Sequence, residues 1–225
     1  MKKLCGVFLC LCFVICVLCL PALPAQAAVI KSGYCGNEEG DWTNLTWTLD
    51  DTGKLTISGT GEMWDFVTDC DGLFFSDLKS IKTVVIETGV TSIGRYAFAS
   101  CKGMTSVTIR GSVTSIGEGA FFESSALTSV TIPESVTSIG VYALSSCSSL
   151  TDITVAAGNT AYKSVNGVLF DKAGKLLHTY PGGRSGHYVI PNSVTSIGDW
   201  AFDGCSKLTS VIIPNSVESI GKYAF

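Results

Sequence analysis

Histidine is scarce in this chain, and its scarcity restricts the chemistry open to the protein. Only His178 and His187 occur among the 225 residues. Beyond residue 27 the sequence also lacks the H-E-x-x-H, C-x-x-C, phosphate-loop and G-x-S-x-G motifs that carry metal, redox, nucleotide and acyl-transfer chemistry. The two histidines are separated by a turn and could meet across it. A metal ion held by both is therefore the one alternative to a chain without a metal site. We predict that the chain is not an enzyme and that it has no catalytic residue, no metal site and no cofactor.

Charge is also sparse, since only 15% of the residues are charged. Residues 1–27 contain two lysines and no acidic residue, and the remainder of the chain has 13 basic and 19 acidic side chains. A chain with net negative charge is a poor ligand for nucleic acid or for an anionic membrane surface, so we expect neither partner. Abundant glycine, serine and threonine instead suit a β-rich, turn-rich exported protein.

Residues 1–27 have the order of a secretory signal peptide. Lys2 and Lys3 precede an apolar stretch over residues 4–20, and Ala25-Gln26-Ala27 provides a small-residue cleavage site. An uncleaved anchor is the alternative, because about 18 apolar residues just reach across a bilayer. We predict cleavage after Ala27 and a secreted or cell-surface protein, which contacts a membrane only if the signal stays uncleaved.

Half of the ten cysteines lie in this signal segment, and the other five are Cys35, Cys70, Cys101, Cys147 and Cys205. An odd number excludes a complete set of intramolecular disulfides. The last three occupy one position of a repeat, which favours buried and reduced thiols. Cys35 and Cys70 are therefore the one candidate disulfide.

A period of 23 residues organises the rest of the chain. The segments that start at Ile81, Met104 and Leu127 align as IKTVVIETGVTSIGRYAFASCKG, MTSVTIRGSVTSIGEGAFFESSA and LTSVTIPESVTSIGVYALSSCSS. A fourth copy begins at Leu150 with LTDITV and resumes as YVIPNSVTSIG, and a fifth begins at Leu208. The longer step from Val136 to Val194 is interpreted as one repeat plus an insertion. A fixed period of this length predicts a solenoid in which each repeat is one coil.

Val and Ile alternate in the S-V-T-I segments of these repeats. The alternation predicts a short strand with one face inward, so that Val107 and Ile109, or Val130 and Ile132, belong to the core. Stacking of the coils makes the strands parallel neighbours.

The A-F-x-x-C segment is predicted to form one helical turn whose Phe fills the coil interior, as at Phe98, Phe121 and Phe202. An aromatic residue precedes the Ala in most repeats. Gly119 replaces it in one repeat and is expected to interrupt an aromatic ladder along the stack.

Residues 28–80 differ from the repeats and contain LTWTLDDTGKLTISG, a hairpin pattern with Gly53 in the turn. We predict that they form an N-terminal β-rich cap over the solenoid of residues 81–225. The insertion, at about residues 158–187, contains a second predicted hairpin between residues 168–170 and 176–178. It either recognises a partner or widens one coil, and the second alternative is favoured. The predicted fold class is a mainly β, leucine-rich-repeat solenoid with a parallel sheet and a hairpin-containing cap.

The last repeat is incomplete, because the sequence stops at Phe225 before the cysteine position. Val217, Ile220 and Phe225 would then form an apolar open face. We expect further repeats or domains beyond residue 225, or a partner or second copy that covers this end.

The repeat LTSVTIPESVTSIGVYALSSCSS and the segment SVNGVLFDKAGKLLHTYPGGRSGHYVIPNSVTSIG resemble the BspA-like class of bacterial leucine-rich repeats. The segment NLTWTLDDTGKLTISGTGEMWDF is similar to the N-terminal region often found with them. The resemblance covers residues 33–225 and implies a leucine-rich-repeat surface protein. It implies little about function, because some members of this class act as adhesins for matrix proteins or cells and most have no assigned role.

The outward positions of the repeat strands form the candidate partner-binding face, which consists of Thr83, Val85, Glu87, Ser106, Thr108, Arg110, Ser129, Thr131, Asp152, Thr154, Ser210 and Ile212. Such a face is mostly uncharged and rich in hydroxyl groups, and solenoids commonly bind partners on an exposed sheet. Serine and threonine also simply suit an exposed strand. The sequence therefore predicts a non-catalytic binding or adhesion module for an extracellular protein or glycan. The alternatives are a structural spacer of the cell envelope and the repeat portion of an enzyme whose catalytic domain is absent.

Overall fold

The computed structural model describes residues 27–37, 41–66 and 80–225. Every regular element in these ranges is a β-strand, so none of the described residues belongs to a helix that could cross a membrane. The strands, in chain order, are β1 (Val29–Tyr34), β2 (Leu45–Asp50), β3 (Lys54–Gly59), β4 (Gly61–Glu62), β5 (Thr83–Ile86), β6 (Val90–Ile93), β7 (Ser106–Ile109), β8 (Ser115–Ile116), β9 (Ser129–Ile132), β10 (Ser138–Ile139), β11 (Asp152–Val155), β12 (Tyr162–Val165), β13 (Val168–Asp171), β14 (Leu176–Thr179), β15 (Gly186–Val189), β16 (Ser196–Ile197), β17 (Leu208–Ile212) and β18 (Ser219–Ile220).

The largest sheet has seven strands in the order β1-β2-β3-β5-β7-β9-β11. Its repeat strands are parallel and each residue pairs with the one 23 positions later, as Val84 does with Val107. The cap hairpin β2–β3 is antiparallel, as predicted, and β3 pairs in parallel with β5. The cap is thus continuous with the repeat sheet.

The V-T-S-I-G segments build a second parallel sheet, β10-β8-β6-β4, on the other side of the coils. Between the two sheets lies the core. Val130 and Ile132 are buried as predicted, and Val107 and Ile109 are half-buried and pack against the same core. The strand pattern of the sequence is therefore confirmed.

The predicted phenylalanine column is present. Phe98 and Phe121 are fully buried and stack with their ring centroids 5.6 Å apart. The predicted helical turn around them is wrong, because Tyr96 and Tyr142 adopt positive φ values of 53° and 43°. The backbone here forms tight turns, and the Phe98 amide donates to the Ala120 carbonyl of the next coil at 2.8 Å. Backbone pairing between coils replaces pairing within a helix.

The fourth and fifth coils differ from the sequence interpretation. Residues 152–155 pair with β9, whereas residues 186–189 pair only with β17, so the two segments belong to different coils. Leu177 pairs with Ile197 and therefore takes the isoleucine position of the V-T-S-I-G segment in the fourth coil. The step from Val136 to Val194 contains one enlarged coil followed by an ordinary one.

The predicted hairpin of the insertion is formed by β13 and β14, and β12 adds a third antiparallel strand through the turn Asn166-Gly167. β13 is buried on both faces. Leu169 packs in the core of the first coils, while Val168 and Phe170 pack in a second core around Leu177. The insertion is therefore built into the interior of the stack.

Candidate partner-binding face

Most of the predicted outward residues lie in two rows across the parallel strands. The first row contains Thr83, Ser106, Ser129 and Asp152, and the second contains Val85, Thr108, Thr131 and Thr154. Thr154 is exposed, and so are the serines and threonines of β7 and β9. The remaining members of the two rows are half-buried. We name these two rows the hydroxyl face.

The cap extends the hydroxyl face beyond the residues predicted from the sequence. Thr48 pairs with Thr56, and Thr56 pairs with Val85, so the second row continues onto β2 and β3. Lys54 continues the first row through its pairing with Thr83. The alternation in LTWTLDDTGKLTISG was sufficient to find these positions, once β3 was known to be parallel to the first repeat strand.

Two classes of threonine alternate along the repeats. Thr105 and Thr128 donate their hydroxyls to the carbonyls of Lys82 and Thr105 in the coil before, at 3.1 and 3.3 Å. Thr108 and Thr131 form no side-chain hydrogen bond with any residue that the structure describes. The fold uses the first class, and the second class is available to a partner.

The margin of the face carries an ion pair between adjacent coils. Arg110 Nε donates to Glu87 Oε2 at 2.9 Å, and both side chains keep a third or more of their surface exposed. Such solvent-exposed pairs contribute at most about 1 kcal/mol to stability. The predicted positions Glu87 and Arg110 thus neutralise each other, and the charged residues of the rows themselves are Lys54 and Asp152, one at each end of the first row.

The predicted face is divided at the enlarged coil. Ser210 and Ile212 lie on β17, which pairs with β15 in a separate two-stranded sheet. Ile212 faces Val189 across that pair, and their side chains are 57% and 54% exposed. The Val189–Ile212 pair is apolar, so this second sheet differs in chemistry from the hydroxyl face although it also carries Ser210 and His187.

The turn of the β12–β13 hairpin lies at the break between β11 and β15. The Ile153 amide donates to the Gly167 carbonyl at 3.0 Å, and the Val155 amide donates to Ser164 Oγ at 3.2 Å. Arg184 Nε donates to the Thr151 carbonyl at 2.7 Å from the other side. The insertion therefore places its turn beside the end of the hydroxyl face.

The two histidines are not arranged as a metal site. His178 is half-buried, with Nδ1 2.8 Å from Thr179 Oγ1 and Nε2 3.4 Å from the Ile139 carbonyl oxygen, and burial lowers the pKa of its imidazole. His187 is exposed on β15. Among residues 27–37, 41–66 and 80–225, no group of three or more His, Cys, Asp or Glu side chains could hold a metal ion.

The repeat cysteines carry free thiols. Cys101 and Cys147 are fully buried, and burial raises the pKa of each thiol to about 12. Cys205 was expected to be equally buried, but it is only half-buried because it lines an open cleft with Phe202 and Phe225.

The candidate disulfide remains a prediction. Cys35 is buried in the cap, whereas Cys70 lies outside the described residues. Residues 1–26 of the predicted signal peptide lie outside them as well, so its cleavage also remains a prediction.

The architecture above matches a known repeat family. The BspA type leucine rich repeat region matches six copies over residues 71–177 and 185–225. The chain belongs to the BspA-type leucine-rich repeat family. No curated protein matches the chain.

The chain is also similar to solved structures of bacterial proteins, two of which are described as leucine-rich proteins. A leucine rich cell surface protein from Faecalibacterium prausnitzii is 25% identical with a TM-score of 0.62, over 81% of this chain and 72% of that one. A leucine-rich repeat protein from Eubacterium ventriosum is 28% identical with a TM-score of 0.49, over 87% and 63%. The pneumococcal vaccine antigen PcpA is 17% identical with a TM-score of 0.50, over 86% and 67%. The chain therefore spans less than two thirds of the Eubacterium protein.

Proposed function

We propose that the protein is a non-catalytic recognition module outside the bacterial cell, which binds an extracellular protein or glycan through the hydroxyl face. The observation that carries this proposal is the line of exposed threonines Thr108, Thr131 and Thr154 on a sheet of seven strands. Thr108 and Thr131 are exposed, and the described residues leave their hydroxyls unused. Rigid strands hold these groups in fixed register, which limits the entropy lost on binding.

An extracellular location is supported by two independent features. Residues 1–27 have the order of a secretory signal. The Faecalibacterium relative is described as a cell surface protein. Export would also expose the hydroxyl face to partners outside the cell.

A triple variant tests the proposal. Thr108→Ala, Thr131→Ala and Thr154→Ala together remove the three exposed hydroxyls of one row. A matched control, Thr160→Ala with Ser193→Ala and Ser206→Ala, removes exposed hydroxyls elsewhere. The measurement is attachment of purified protein to cultured epithelial cells and to immobilised extracellular matrix.

The expected result is loss of attachment in the face variant and full attachment in the control, with unchanged thermal unfolding in both. Equal attachment of both variants would contradict the proposal. Such equality would instead favour a spacer that only sets distance in the envelope.

A further inference from the structure

The break between β11 and β15 contains a small notch, which we define by Asp152, Thr154, Gly167 and Arg184. Gly167 forms its floor, because a Cβ placed there would collide with Asp152 Oδ1 and lie 2.6 Å from Arg184 Nη2. The carboxylate and the guanidinium thus face each other across one glycine. They form no ion pair in the part of the chain that the structure describes.

The polar groups of the notch are held in place by other contacts. Thr154 Oγ1 donates to Asp152 Oδ2 at 2.8 Å, which leaves Oδ1 without a hydrogen bond from the described residues. Arg184 is fixed by its bond to the Thr151 carbonyl at 2.7 Å, and its guanidinium also interacts with the Tyr180 hydroxyl. A carboxylate oxygen only accepts and a guanidinium only donates. The group that satisfies both at once is a hydroxyl, which accepts from Arg184 and donates to Asp152.

The turn that forms the notch is defined by its backbone angles and by a bond to β11. Asn166 and Gly167 have φ values of 48° and 74°, as in the two-residue turns that favour Asn-Gly. Its backbone is tied to β11 through the Ile153 amide. Because Gly167 has no side chain, both Asp152 and Arg184 approach its backbone closely.

The surroundings select for a neutral and polyhydroxylated partner. The carboxylate of Asp152 repels an anion, and the guanidinium of Arg184 repels a cation. The adjoining rows present Thr131 and Ser129 rather than the tyrosine and tryptophan anchors that dominate protein–protein binding. Sugars carry several hydroxyls on a compact ring and match this chemistry.

We propose that the notch binds a neutral glycan, one hydroxyl of which bridges Asp152 and Arg184 while the sugar chain continues along the hydroxyl face. This inference rests on the proposed function and names the partner class. It also gives the insertion a role, since the hairpin turn completes the site.

Binding of soluble xylan, mannan, β-glucan and mucin to the immobilised protein tests the inference. We expect at least one of these polymers to bind, and Asp152→Asn and Arg184→Gln each to weaken that binding at least tenfold. The pair Glu218→Gln and Lys222→Gln, which are exposed residues outside the face, is the control and should change binding less than twofold. Mild periodate treatment of the polymer should abolish binding, because periodate cleaves the bond between neighbouring carbons that both carry hydroxyls.

Thermal unfolding checks that each variant folds. If Arg184→Gln is unstable, Asp152→Asn still tests the inference, because asparagine keeps the shape of the aspartate side chain. The inference is overturned if none of the four polymers binds, or if Asp152→Asn binds like the unaltered protein. If the threonine face variant loses cell attachment but the unaltered protein binds no polymer, the inference of a glycan partner is overturned and the proposed function stands. Unchanged attachment in that face variant would instead remove the proposed function itself.

Discussion

The hydroxyl groups of Tyr96 and Tyr142, which lie two coils apart, are hydrogen-bonded to each other across Gly119. Tyr142 also contacts Trp200, with ring centroids 5.4 Å apart, and Trp200 contacts Tyr223 at 4.7 Å. The expectation that Gly119 interrupts an aromatic ladder is therefore wrong. The glycine makes the ladder continuous, because the rings on either side lean into the space that it leaves.

Replacement of Gly119 by alanine should destabilise the protein. Its φ of 59° disfavours a Cβ, and that Cβ would lie 2.7 Å from Tyr96 Cε1 and 2.9 Å from Tyr142 Cε2. We expect a loss of roughly 2–3 kcal/mol from backbone strain and overpacking. The control is Gly111→Ala, where no atom lies within 4 Å of the added Cβ. Urea unfolding that gives equal free energies for both variants would contradict the expectation.

Serine and cysteine should be interchangeable at the cysteine position of the repeat. Ser124 Oγ donates to the Phe98 carbonyl at 2.8 Å, and Cys147 Sγ donates to the Phe121 carbonyl at 3.2 Å in the next coil. We expect Cys147→Ser to change the free energy of unfolding by less than about 1 kcal/mol. Ser124→Ala removes the donor and should cost about 1–3 kcal/mol. A larger loss for Cys147→Ser than for Ser124→Ala would show that thiol packing, not hydrogen bonding, decides the position.

Acid should weaken the fold through His178. Burial lowers the pKa of its imidazole, so the unfolded chain binds a proton that the folded chain excludes. The stabilisation is complete above the unfolded pKa of about 6.5 and is lost as the pH falls below it. Between pH 7.5 and 5.5 the free energy of unfolding should therefore drop more in the unaltered protein than in His178→Gln, by up to about 1 kcal/mol. An identical drop in the unaltered protein and in His178→Gln would exclude His178 as the cause.

A charge at Asn159 should be strongly destabilising. The side chain is 1% exposed, and its Nδ2 donates to the Pro133 and Val136 carbonyls at 2.7 and 2.8 Å. Asn159→Asp would place a carboxylate against these carbonyl oxygens, and we expect a loss of at least about 3 kcal/mol. Asn192→Asp is the control, because Asn192 is exposed. Calorimetry should show a large decrease in Tm for the first variant and almost none for the second.

The repeat itself could be predicted because its signals are local and recur. The alternation around Val130 and Ile132 needs only the two-residue period of a strand. The enlarged coil could not be predicted in the same way, because Asn159 takes the place of the valine that opens V-T-S-I-G, 23 residues after Val136. A polar residue at a core position hides the register unless its four hydrogen bonds are known.

The candidate site was predictable only in part, for a related reason. Thr108 and Thr131 follow directly from strand alternation. Asp152 and Arg184 meet only because a turn 15 residues after Asp152 folds back between two coils. The Asn166-Gly167 pair was the available signal for that turn, but no local pattern shows which strand it returns to.

The burial of β13 on both faces constrains how this protein can diverge. In an ordinary stack a coil tolerates change as long as its two neighbours still fit it. Here a shift of one residue in β13 would exchange Leu169 with Val168 and Phe170 and disturb both cores together. The coils on either side of the insertion should therefore unfold together as one cooperative unit. Native-state hydrogen exchange should give one common free energy of opening for both groups of coils rather than two different values.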